Sequence, residues 1–267
     1  MTVDAFRPAA PAVLFDLDGT LVDPAGAITG GITQALAQHA LPIPPDAALR
    51  SMVGPPLAQS LGTIASVPAD RLAAVIATYR DRYRAEGMGA SRVYPGVADL
   101  LVRLREHGYR LAVATQKPVG LATELLAATG LLDAFDVVHG SSDDEEDPVP
   151  LTKTQIVAAA LADLGLTTVT DETGSAPEHR TAVMVGDRQH DMRGAADNGL
   201  AGIGVAWGFA GDRELVDAGA TLVVGSASEL EAAIADLLPR PAGRKSTGSD
   251  LPGSDLPDPD VVGRATA

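Results

Sequence analysis

The chain has 267 residues, of which 46% are hydrophobic and only 3% aromatic, and its formal net charge is −15. So acidic a chain lacks the basic surface that nucleic acid or an anionic membrane needs in a bulk partner, and without cysteine it forms neither disulfides nor thiolate metal sites. No apolar run nears the ~18 residues of a membrane span and none follows the start as a signal sequence, so a cytoplasmic protein with an aliphatic core is expected.

Residues 1–11 read as a loose leader. Ala12 to Phe15 is a short apolar run of the kind that forms a strand buried on both faces, and it leads into Asp16-Leu17-Asp18-Gly19-Thr20. Side chains alternate along a strand, so Asp16 and Asp18 share one side. Two carboxylates so close are costly to bury unless a cation or a proton separates their charges, which points to a metal site, an acid/base site, or both. Gly19 allows backbone amides to face an anion. From Asp23 to Arg92 the pattern is helical. Ile28, Ile32 and Leu36 sit four apart, and Leu72, Val75, Ile76, Tyr79 and Tyr83 form an apolar stripe. Prolines at 42–45 and 55–56 break these helices. About seventy residues are too many for a loop, so 23–92 reads as a small helical domain inserted after the first strand.

Tyr94-Pro95-Gly96 closes the insert. Strands are then expected at 111–114, 135–138, 182–185, 203–205 and 222–224, alternating with helices at 97–106, 121–128, 152–164 and a further one running through 196. Such alternation predicts an α/β fold with a doubly wound parallel sheet, built from residues 12–22 and 93–239. Residues 240–267, rich in Pro, Gly, Ser and Asp, read as a disordered tail.

Ligands of an open parallel sheet bind beyond the carboxyl ends of its strands. Three of these strands end in polar residues: Asp16 with Asp18, Thr115, and Asp187. Asp191, taken to begin the next helix, follows Asp187 by four and faces the same way if that turn is helical. Four aspartates without histidine or cysteine suit a hard cation such as Mg²⁺, which when bound by few carboxylates usually works on a phosphate. Each residue alone has a plainer reading: Thr115 as a helix cap, Asp187 and Asp191 as a cap and a surface acid, Lys153 as a solvated helix start. Their joint position at consecutive strand ends favours a site. Lysine occurs only at 117, 153 and 245, so a lysine here is less expected to be surface filler.

These motifs resemble those of the haloacid dehalogenase-like hydrolases, in the phosphoglycolate phosphatase-like branch. Asp16-Leu17-Asp18-Gly19-Thr20-Leu21-Val22-Asp23 is similar to that family's first motif and Ala114-Thr115-Gln116-Lys117-Pro118 to its second. Lys153 stands where its third-motif lysine is expected, and Val185-Gly186-Asp187-Arg188-Gln189-His190-Asp191 is similar to the fourth. The likeness runs from about Val13 to about Leu238, and the insert at 23–92 corresponds to the family's cap. The resemblance implies a Mg²⁺-dependent phosphatase acting through an aspartyl-phosphate on a small phosphorylated metabolite. Asp16 is then the nucleophile and Asp18 the acid and later the base. Gly19, Thr115, Gln116 and Lys153 hold the phosphoryl group, and Asp16, Asp18 (through its main-chain carbonyl), Asp187 and Asp191 hold the metal. The dehalogenases of the fold need neither Mg²⁺ nor an acid at position 18, so Asp18 favours phosphate chemistry.

Phosphoglycolate, a 5′-nucleotide or another sugar or acid phosphate stays open as substrate. So do transfer to an acceptor other than water, action on protein phosphotyrosine, and, outside enzymes, a receiver-like domain that stores phosphate. The chain departs from its branch before Lys153, where five consecutive acids run from Asp143 to Asp147. They read as a solvated loop, or alternatively as a bias against polyanionic substrates or a second cation site. Thr167 to Arg180 is expected to be a surface loop. Arg50, Met52, the Gly54-Pro55-Pro56 turn and Trp207-Gly208-Phe209 are expected near the crevice mouth.

Overall fold

The computed structural model describes residues 10–24, 26–142, 151–166 and 181–241. Most of the leader, the acidic run, the segment 167–180 and the tail from 242 lie outside these residues.

The first strand, β1 (Ala12–Phe15), is buried throughout and leads through the Asp16–Thr20 turn to β2 (Val22–Asp23). The insert follows as α1 (Ala27–Gln38), α2 (Asp46–Ser51), α3 (Leu57–Thr63), α4 (Leu72–Arg82), a π-helical turn at Tyr83–Gly87 and a last short turn, α5 (Met88–Ala90). The chain returns through β3 (Arg92–Val93), which pairs antiparallel with β2 as Val22↔Val93 and Asp23↔Arg92, so exit and return are clasped together. There follow α6 (Val97–Glu106), β4 (Arg110–Pro118), α7 (Val119–Ala128), β5 (Val137–Ser141) and α8 (Lys153–Asp163). The remainder is β6 (Ala182–Gly186), α9 (Gln189–Asp197), β7 (Ala201–Val205), α10 (Glu214–Asp217), β8 (Leu222–Val224) and α11 (Ala227–Leu237).

Six strands form a parallel sheet in the order β5-β4-β1-β6-β7-β8, the doubly wound α/β architecture expected from the alternation. β1 is central, paired on both edges, with Phe15 in register with Val113 and Val185. Its unbroken apolar run follows from having both faces covered. Val13 and Phe15 enter a cluster with Leu100 of α6, Leu125 of α7 and Leu230 of α11. Ala12 and Leu14 enter another with Ile156 of α8 and Ala195 of α9. A third cluster lies mainly within the insert and is built from the two stripes seen in the sequence, with Ile28, Ile32 and Leu36 against Val75, Tyr79 and Tyr83.

Three local expectations change. The third strand begins at Val137 rather than Phe135, because Leu132–Ala134 forms a 3₁₀ turn and Phe135 packs edge-on to Phe15 at 6.2 Å. β4 runs past Thr115 to Pro118, with a register shift against β5 between Ala114 and Pro118. The helix after Asp187 begins at Gln189, not Asp191, and Asp191 in its first turn accepts the Arg188 backbone N–H at 2.9 Å. A carboxylate there satisfies one of the donors that a helix start leaves open.

Candidate active site

The carboxyl ends of β1, β4 and β6 bring the expected residues into one buried crevice. Asp16, Asp18, Thr115, Lys153, Asp187 and Asp191 are each at most 7% exposed. Lys153, first residue of α8, reaches across the sheet end. Its Nζ donates to Asp16 Oδ1 at 2.6 Å and to the Ala114 carbonyl at 2.7 Å, and pairs with Asp191 Oδ1 at 2.7 Å. Burial alone would push this ammonium down, but Asp16 and Asp191 outweigh it and hold it up at about 12. The lysine is therefore charged across the ordinary pH range.

Asp187 is fully buried and accepts from Thr20 Oγ1 at 3.1 Å and from the Phe209 backbone N–H at 2.8 Å. Glycines admit it. A Cβ on Gly19, whose φ is +92°, would lie 2.3 Å from Asp187 Oδ2, and one on Gly208 would lie 2.3 Å from Asp187 Cβ. Gly186 does the same for Asp191, where a Cβ would meet Cγ at 2.2 Å. Burial, then the charges of Asp16 and Asp191, drive the Asp187 carboxyl well above its ordinary value. Burial also raises Asp191 to about 6, with Lys153 opposing and Asp16 adding to the rise.

Oxygens of Asp16, Asp187 and Asp191 lie within 4.8 Å of one another. Asp18 stands apart from that cluster: its Oδ2 accepts from Lys117 Nζ at 2.8 Å. Among the described residues, four buried aspartates face two buried ammoniums, so with all four ionised two negative charges exceed the positive ones, the charge of one divalent cation. An all-oxygen donor set with that deficit fits Mg²⁺.

Thr115 sits between these groups, and its Oγ1 accepts the Lys117 backbone N–H at 3.3 Å. Above the sheet end a cavity of about 120 Å³ separates the core from the insert. Asp16, Asp18, Thr115, Gln116 and Lys117 line it from the core, and Ile28, Met52, Gly54, Leu57 and Ile76 from the insert. Met52 and Gly54 therefore lie where the sequence placed them, whereas Arg50 lines neighbouring grooves. Trp207 Nε1 donates to the Thr20 carbonyl at 3.1 Å and the indole packs against Tyr94, so this aromatic braces the first motif.

Two residues here were not singled out as functional in the sequence. Lys117 meets Asp18 and the insert's Tyr83, whose hydroxyl lies 3.1 Å from Nζ. Its signal was the scarcity of lysine. Arg188 is buried, donates to the Val53 carbonyl of the insert and pairs with Glu214 at 2.9 Å. Its neighbour Gly54, at φ +104°, packs against it. Nothing in local sequence separates this arginine from a surface one.

A family model described as haloacid dehalogenase-like hydrolase matches residues 13–205. Among curated proteins, a 5′-nucleotidase of Pseudomonas aeruginosa is 37% identical over 205 residues, 77% of this chain and 86% of that one. The tyrosine-protein kinase PtkA of Mycobacterium tuberculosis is 34% identical over 219 residues, 82% of this chain and 69% of that one. A phosphoglycolate phosphatase of Caulobacter vibrioides is 33% identical over 233 residues, 85% of this chain and 91% of that one. Among solved structures, a "predicted phosphatase" from Clostridium acetobutylicum superposes with a TM-score of 0.75 at 35% identity, covering 85% of this chain and 99% of that one.

Proposed function

The chain belongs to the haloacid dehalogenase-like hydrolases and is a phosphatase, and from that premise we propose that it hydrolyses a small phosphomonoester through an aspartyl-phosphate on Asp16. The observation that carries this reading is the contact of Lys153 with Asp16 at 2.6 Å beneath the cavity. An anionic nucleophile and an anionic phosphate repel each other, and a fixed ammonium between them offsets that repulsion where charge develops. Asp16 attacks phosphorus, Asp18 protonates the leaving oxygen, and Asp18 then takes a proton from the water that releases phosphate. Thr115, Gln116, Lys153 and the amides around Gly19 hold the phosphoryl oxygens. Asp16, Asp187 and Asp191, with the Asp18 main-chain carbonyl, would hold Mg²⁺, which when bound draws negative charge off the phosphoryl group.

The helical insert, 23–92, acts as the cap over this site. Its side of the cavity is largely apolar, with Ile28, Met52, Leu57 and Ile76 facing the strand ends. Among the described residues no helix is long and apolar enough to cross a membrane. The kinase relative's name supports a second reading, in which an acceptor hydroxyl takes the phosphoryl group in place of water.

The test is phosphate release from p-nitrophenyl phosphate with Mg²⁺, then from a panel of phosphoglycolate, nucleoside monophosphates, sugar phosphates and phosphotyrosine. EDTA or Asp16→Asn should each reduce the rate at least about 1,000-fold while the fold survives. Full activity of Asp16→Asn would refute the nucleophile assignment. Label passing to an added alcohol or tyrosine in preference to water would favour the second reading.

A further inference from the structure

Lys117 leaves the end of β4 and is buried, with its ammonium shared between core and cap. It donates to Asp18 Oδ2 at 2.8 Å and to the Tyr83 hydroxyl at 3.1 Å, and lies 4.2 Å from the centre of the Tyr83 ring. Tyr83 is itself fixed. It begins the π-helical turn that continues α4, stacks on Tyr79 at 5.8 Å, and occupies space that a Cβ on Gly87 would enter at 2.7 Å. Single π turns inside helices recur at functional positions because the extra residue re-aims a side chain. Asp18 Oδ1, by contrast, is buried and has no hydrogen-bond partner among the described residues. One oxygen of the acid/base carboxylate is thus tied down, and the other is buried without a partner in a residue that lines the cavity.

We propose that Lys117 is the positioning residue for Asp18 in release of the phosphate, and that the cap residue Tyr83 holds Lys117 in place for it. The inference rests on the reading of Asp16 as nucleophile and Asp18 as acid and base. The ammonium fixes Oδ2 at 2.8 Å and leaves Oδ1 as the oxygen without a partner, so the contact sets which oxygen takes the proton. In the second displacement the water oxygen bonds to phosphorus as the bond to the Asp16 oxygen breaks, and that electron pair returns to the Asp16 carboxylate. One water proton passes to Asp18 Oδ1 and the other stays on the departing phosphate. The first displacement does not need this hold when the leaving group is a good one, such as nitrophenolate. Loss of Lys117 therefore falls on hydrolysis of the aspartyl-phosphate and spares its formation. Tyr83 makes the hold depend on the cap standing where it does, since its hydroxyl and ring are the insert's contacts with the ammonium at 3.1 and 4.2 Å.

Rapid-quench kinetics with p-nitrophenyl phosphate and Mg²⁺ separate the two steps. In Lys117→Met, nitrophenolate appears in a burst of one per site and phosphoenzyme accumulates. Steady turnover falls on the order of 10- to 100-fold, the cost of an ångström-scale misplacement of a reacting group. Tyr83→Phe keeps the ring and its stack, and shows the same burst with a smaller loss of about 3-fold. The phenylalanine variant also decides the matter if Lys117→Met, which leaves Asp18 unpaired, does not fold. Equal slowing of both steps in Tyr83→Phe, or phosphoenzyme hydrolysed at the wild-type rate in both variants, overturns the inference while leaving the proposed function standing. A wild-type enzyme that turns over without any phosphoenzyme on Asp16 overturns both.

Discussion

Replacing Asp187 by asparagine removes one charge from the carboxylate cluster and changes almost nothing else. The isosteric amide keeps an acceptor for the Phe209 N–H and can turn its NH₂ toward the Thr20 hydroxyl, the two present partners. Gly19 and Gly208 lie so close to Asp187 that a Cβ on either would meet it at 2.3 Å. Oxygens of Asp16, Asp187 and Asp191 lie within 4.8 Å of one another, and at that separation a like-charge pair costs roughly 3.5 kcal/mol at an effective dielectric of 20. Asp187 takes part in two such pairs. The Lys153 ammonium, bonded to both other aspartates, cancels about one of them, leaving about 3 kcal/mol. In EDTA at neutral pH the variant should therefore melt higher than wild type, by roughly 6–12 °C for a chain of this size.

Saturating metal reverses the order of gains. At a Mg²⁺ concentration a hundredfold above its dissociation constant the wild type gains about 2.7 kcal/mol, and the variant gains much less. The pH dependence has a fixed sign. Asp187 is raised above its ordinary 3.8 by burial and then by its two neighbours, so the folded protein keeps this proton where the unfolded chain has released it. The cost of the carboxylate is thus absent below about pH 3.8 and grows as pH rises through the folded-state value. Differential scanning fluorimetry with EDTA or MgCl₂, from neutral pH toward about pH 4, should show the advantage of the variant shrinking on acidification. A variant that melts below wild type in EDTA and keeps the full Mg²⁺ gain would refute both the crowding of charge and the place of Asp187 in the metal site.

A Cβ on Gly208 would lie 2.3 Å from Asp187 Cβ, so Gly208→Ala must displace the aspartate. We expect an activity loss on the order of 100-fold with a weakened Mg²⁺ response and a retained circular dichroism spectrum; unchanged activity would show that the loop yields freely. Leu125 of α7 is fully buried in the cluster beneath β1. Leu125→Ala should cost about 2–5 kcal/mol in urea denaturation while kcat at a temperature where the protein is folded stays within about twofold. A comparable fall in kcat would mean that this core face shapes the site.

The sequence by itself determined the layered α/β core and the residues of the crevice, because both are written locally. β1 is legible as four apolar residues since it is covered on both faces, and the strand-end polar residues stand out because they interrupt such runs. The two stripes of the insert were legible as helices, and the structure packs them on one another. Helix starts and strand ends shifted where a side chain found a better partner, as Asp191 did with the Arg188 N–H. Tertiary structure alone decided how the carboxylates divide: Asp16 and Asp191 share Lys153, while Asp18, two residues from Asp16, turns to Lys117. It also decided which cap residues matter, since Tyr83 meets Lys117 across 34 positions and Arg188 meets Val53 across 135. Such contacts have no period and no spacing. They exist because the clasp of β2 on β3 docks the insert over the sheet end, and the same docking sets the volume left for substrate.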